Sequence, residues 1–214
     1  MSLGKLIMGL GSLLAGVKTL AEMGQETTVS KRLSDSPAGK KAMGTVTHQV
    51  ETIDQRVHHI VKMIQKGRDH PQVRKVTVQL LSKKCGKEWC VPEKSWWAEV
   101  VTIFDGVRAN VRYTRDTYNK DLFQHPARTL QFGGGDCDDY AITLGSMLQA
   151  VGYPVKLRVI RTKDSPEWNH IYLLVGMPPK DPKKWISLDG SVDKPAGWEA
   201  PKSMIAEIRD FNVP

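Results

Sequence analysis

Apolar residues recur along this chain with two different periods, and the change between them divides it. From Leu3 to Leu20, Leu3, Leu6, Leu10, Leu13, Val17 and Leu20 return at alternating steps of three and four, the seam of one helical face. Gly4, Gly9, Gly11 and Gly16 lie off that seam and weaken the helix in isolation, so it calls for a partner surface. Residues 24–46 are polar and rich in Gly, Ser and Thr, as a linker is. Val50, Ile53, Val57, Ile60 and Ile64 then predict a second helix stopping near Gly67. Asp69 and Pro71 suit the start of a third, with Val73, Val76 and Leu80 inward. Trp97, Val100, Phe104, Val107 and Val111 mark a fourth, with Ser95 as its N-cap. A long, mostly irregular connection follows, and then a helix from about Cys137 to Val151, closed by Gly152 and Pro154. Beyond it the period drops to two. Residues 155–162, 169–177 and 184–191 read as three strands joined by turn-rich segments. Helices first and strands afterwards predict an α+β fold with a small antiparallel sheet.

Composition and charge narrow the function classes only a little. The 214 residues are 40% hydrophobic and 25% charged, ordinary for a soluble globular protein. The net charge of +8 comes from scattered side chains and matches no recognised nucleic-acid module, which argues against nucleic acid as a partner. The leader resembles a signal peptide superficially, yet Lys18 interrupts it and no small-residue cleavage site follows. Its apolar stretch is too short to span a bilayer. A protein partner is the expected occupant of its seam, ahead of contact with a membrane interface. Of three cysteines, Cys85 and Cys90 are five apart and could pair if oxidised; they have no nearby histidine to complete a zinc site, and free or packed thiols are the favoured expectation there. No metal or cofactor site is evident.

The third cysteine opens the chemistry. Cys137 stands at a helix start, where partial positive charge and unpaired N–H groups favour a thiolate. His170 begins one strand and Asp189 ends the next, so adjacency of those strands would align a base and its orienting carboxylate. The Cys137 N–H is the natural oxyanion donor, and Gln131 is a candidate second donor. The three preceding glycines read as room for a substrate. Each part also has a plain alternative: a packing cysteine, a surface histidine, a turn aspartate. Asp136, Asp138 and Asp139 suit the helix dipole but oppose thiolate formation.

Taken together, "GGGDCDDYAITLGSMLQAVGYPVKLRVI", "NHIYLLV" and "WISLDGS" resemble the core of the transglutaminase-like superfamily. The matching positions are Gly135, Cys137, Asp139, Tyr140, Ala141, Gly152, Pro154, His170, Trp185 and Asp189, and the likeness covers about residues 95–195. It implies a papain-like α+β fold, with Cys137 as nucleophile, His170 as general base and acid, and Asp189 as its orienter. The chemistry implied is acyl transfer from a protein or peptide amide, ending in hydrolysis or in cross-linking to a second amine. Where the family often carries His-Ala-Trp, this chain has His170-Ile171-Tyr172, which touches the substrate side of the site. The "GDCDD" form and helical leader are similar to bacterial and phage-encoded members, implying a virion or tail-associated protein, or one in the bacterial cytoplasm during assembly. The other reading keeps the fold for assembly, docked through the leader, without catalysis. The expected organisation is a helix over 1–23, a linker over 24–46, a helical segment over 47–94 packing on the core, and the transglutaminase-like domain over 95–214.

Overall fold

The computed structural model describes residues 45–47, 52–115 and 122–214; the leader of 1–23 and nearly all of the linker lie outside them. Strand β1 (Thr45–Thr47) pairs antiparallel with β5 (Leu122–Gln124). Between them run helices α1 (Ile53–Arg68), α2 (Pro71–Leu81) and α3 (Trp96–Asn110), with a short hairpin, β2 (Lys84–Cys85) and β3 (Glu88–Trp89), between α2 and α3. Strand β4 (Arg112–Tyr113), helix α4 (Pro126–Phe132) and β6 (Gly134–Gly135) lead into α5 (Cys137–Ala150). Strands β7 (Val155–Thr162), β8 (His170–Met177), β9 (Lys184–Leu188) and β10 (Ile205–Val213) complete the chain.

Helix α5 is the centre. Every residue from Asp138 to Leu148 on it is buried, because α1, α2, α3 and α4 surround it and β8 closes its remaining side. Two glycines permit close approaches between α1 and α5. A Cβ on Gly145 would stand 2.9 Å from Ile64 of α1 and 3.2 Å from Leu173 of β8. A Cβ on Gly67 would stand 2.2 Å from the Ser146 hydroxyl, so α1 and α5 cross at that point only with glycine there.

The sheet is antiparallel in the order β10-β7-β8-β9. Val155, Leu157 and Val159 of β7 and Ile171, Leu173 and Val175 of β8 join the main core. Ile160, Tyr172 and Leu174 form a smaller cluster on the opposite face, with Trp185, Ala200 and Ile205 packed on it. Both faces are thus apolar over part of their area, which is why Ile160 breaks the alternation of β7.

Several expectations change. His70, not Asp69, caps α2, its side chain accepting from the Gln72 N–H. Ser95 makes no side-chain cap bond to α3. The connection expected to be irregular contains α4, built on Pro126 at its first turn and ended by Gly133 at φ 73°. The fourth strand, β10, lacks an alternating pattern because it is an edge strand with most of its residues exposed. Cys85 and Cys90 are disulfide-bonded rather than free thiols: the β2–β3 turn brings their Cα atoms to 4.9 Å. Among the described residues, no helix is long and apolar enough to cross a membrane.

Candidate active site

The start of α5 and the start of β8 meet at a small cleft lined by Arg56, Cys137, Asp138, Trp168, Asn169 and His170, among others. Cys137 is the first residue of α5 and half-buried. Asp136 caps the helix, its Oδ1 accepting from the N–H groups of Asp138 (3.1 Å) and Asp139 (3.2 Å). As the first helical residue, Cys137 has an N–H without an intrahelical acceptor.

His170 Nε2 lies 2.7 Å from Asp189 Oδ2. The β8–β9 register pairs Leu173 with Leu188, so Asp189 emerges at the end of β9 beside the first turn-side residues of β8. The other Asp189 oxygen accepts from Ser191, at 2.7 Å from its hydroxyl and 3.2 Å from its N–H. Asp189 is buried, and both of its oxygens are engaged. With Nε2 directed at the carboxylate, Nδ1 is the ring nitrogen left to exchange a proton with a neighbour. The structure therefore brings Cys137, His170 and Asp189 to one place. Gln131 stands in the last turn of α4 and does not line this cleft.

The acids around the cysteine have separate duties. Asp136 is the cap. Asp139 is fully buried and reaches across to β5, where it accepts from the Gln124 N–H (2.8 Å) and side-chain amide (2.7 Å). Asp138 is paired with Arg56, whose Nη2 and Nε lie 2.8 and 3.0 Å from one carboxylate oxygen. Its other oxygen is 3.9 Å from Cys137 Sγ. The glycines are structural as well. Gly133 ends α4, and Gly134 and Gly135 are buried and pair in parallel with β4. A Cβ on Gly135 would stand 2.6 Å from the Asp139 side chain. The space they provide is filled by protein, not left for a substrate.

Burial pushes the Cys137 thiol well above its ordinary pKa, with Asp138 and Asp136 adding to the rise. Arg56 and a backbone hydrogen bond from Ile171 pull the other way. Arg56, Trp168 and Asn169 of the cleft were missed by sequence reasoning. Trp168 stands two positions before His170 and could have been suspected from that adjacency; Arg56 carries no signal beyond a polar position on α1.

Among solved structures, the calcium-bound form of LapG from Legionella pneumophila aligns with a TM-score of 0.48 and 20% identity, over 73% of this chain and 83% of that one. A protein of Cytophaga hutchinsonii described as a candidate cysteine protease aligns with a TM-score of 0.45 and 14% identity, over 78% of this chain and 56% of that one. No curated protein gives a significant sequence match. The model of the transglutaminase-like superfamily matches residues 83–190, just over half of the chain, and on that match the chain belongs to this superfamily.

Proposed function

We propose that this protein is a cysteine acyl-transfer enzyme acting on an amide of a protein or peptide, with Cys137 as nucleophile, His170 as general base and acid, and Asp189 as orienter. The observation that carries it is the 2.7 Å contact between His170 Nε2 and Asp189, made beside a cysteine at a helix start in the same cleft. The reaction begins by general-base catalysis. His170 Nδ1 takes the thiol proton as sulfur bonds to the carbonyl carbon. The oxyanion that forms accepts from the Cys137 N–H. His170 then returns the proton to the leaving nitrogen, the C–N bond breaks, and an amine departs from the thioester. Water or a second amine attacks the thioester, with His170 accepting the attacker's proton and returning one to sulfur.

The test is labelling by a thiol-directed acyl probe in wild type, Cys137→Ala and His170→Ala. Labelling in wild type should be lost in Cys137→Ala and fall on the order of 10²-fold or more in His170→Ala. Equal slow labelling of Cys137 with and without His170 refutes the reading. The apolar seam of residues 1–23 favours a second role, docking on a protein of a larger assembly such as a virion or tail. Incorporation that is unchanged by deleting 1–23 would refute that role.

A further inference from the structure

Helix α1 precedes the family-matched residues 83–190, yet it supplies a wall of the cleft through Ile53 and Arg56. Its first turn is fixed at several points. Thr52 and Gln55 form a reciprocal capping box, and Asp54 is paired with Arg209 of β10 at 3.1 Å. Ile53 and Arg56, three residues apart, share one side of the helix, and that side meets the start of α5. There the guanidinium engages Asp138 through two nitrogens on one carboxylate oxygen. Asp138 itself is only 1% exposed, so little water is available to stabilise its charge. Its second oxygen is the one 3.9 Å from the sulfur.

We propose that Arg56 is a positioning residue for the nucleophile: by clamping Asp138 it offsets the negative charge next to Cys137 and so lets the thiolate form during catalysis. The proposal deepens the acyl-transfer reading and takes its meaning from it. A buried carboxylate beside a forming thiolate disfavours that anion, and a cation bound to the carboxylate offsets part of the effect. The other charged or titratable groups facing the sulfur leave this role open to Arg56. Asp136, at the cap, adds negative charge. His170, from β8, is engaged by Asp189. Tyr113, from β4, is pushed above its ordinary pKa by burial and by Cys137 and Asp136. Arg56 is the cation whose charge acts directly to lower the thiol's pKa.

The experiment is the pH dependence of Cys137 alkylation by iodoacetamide, from pH 5.5 to 10, read by mass spectrometry of the Cys137 peptide. Circular dichroism of each variant checks the fold. Arg56→Gln should move the profile upward by about one pH unit, slowing alkylation near neutral pH about tenfold. Asp138→Asn should move it downward, and the double variant should fall at or below the wild-type profile. Arg56→Lys should lie between wild type and Arg56→Gln, because an ammonium keeps the charge without the two-nitrogen contact. A profile unchanged by Arg56→Gln, or a double variant shifted upward as far as Arg56→Gln alone, overturns the proposal. If Arg56→Gln does not fold, Asp138→Asn decides alone: an unchanged or raised profile refutes it. Alkylation needs no acyl transfer, so an absence of acyl-probe turnover would sink the enzymatic reading while leaving this measurement intact.

Discussion

Asp189 is held by Ser191 through one oxygen and holds His170 through the other, which sets both the angle and the tautomer of the imidazole. An amide at this position presents an N–H to Nε2 in one of its two orientations and thereby favours the tautomer that cannot accept at Nδ1. Asp189→Asn is therefore expected to lower acyl-probe labelling of Cys137 by on the order of 10²–10⁴-fold. The thermal melt should change little, because the Ser191 contacts can persist. Labelling within a few-fold of wild type would show that the carboxylate does not orient the base. At this scale much of the site was legible. Cys137 stood at a predicted helix start, and His170 and Asp189 stood at strand ends, so pattern alone implied where each would lie. Gly135 was legible as a close approach but not as to what approaches, since the Asp139 carboxylate that fills the space comes from the next helical turn. Arg56 was not legible, because helical periodicity marks a polar position without saying which neighbour it meets.

At the scale of elements, two helices begin on a histidine. His70 caps α2 and His125 caps α4, each with Nδ1 accepting a backbone N–H, and the two rings stand 4.8 Å apart. A cap of this kind needs the neutral imidazole, since protonation removes the acceptor. Burial, helped by His70 and Lys66, lowers the His125 pKa from 6.5 to about 4, and burial also lowers that of His70. The unfolded chain binds protons more readily than the native state below pH 6.5, so the caps contribute fully above that pH and their contribution is lost as pH falls towards 4. After discounting for partial exposure, the loss from His125 is on the order of 1–2 kcal/mol. Urea unfolding at pH 7 and pH 4.5 should show it, and His125→Asn, which keeps a capping oxygen without a titration, should flatten that difference. An equal pH dependence in the variant would show that other groups carry it. The same caps explain why α4 was hard to read. Histidine is an unusual cap, and the seven-residue helix is too short for a periodic pattern, although Pro126 and Gly133 bracket it. Strand β10 was hidden for a different reason: its register with β7 is set by backbone pairing, not by an alternating face.

For the whole molecule, the family-matched residues 83–190 contain the nucleophile helix and three of the four strands of the main sheet but not all that encloses them. Ile60 and Ile64 of α1 and Val73 and Val76 of α2 are buried in the same core as Leu144 and Leu148 of α5. Burying four such side chains contributes roughly 6–12 kcal/mol at 1.5–3 kcal/mol each, comparable with the whole net stability of a domain. On the other side, β10 supplies the ladder partner of β7 from Val155 to Thr162. Without α1 and α2 one side of α5 would face water, and without β10 strand β7 would become an unprotected edge. A fragment of residues 83–190 is thus expected to lack a cooperative thermal transition and to aggregate, whereas residues 45–214 should unfold cooperatively. The two fragments also separate fold from site. If 83–190 did fold, it would lack both Arg56 and the burial that α1 gives the thiol, and because burial is the larger effect its Cys137 should alkylate with a pH profile below that of the wild type. Cooperative unfolding of 83–190 with a wild-type profile would show that neither the core nor the nucleophile depends on the first two helices.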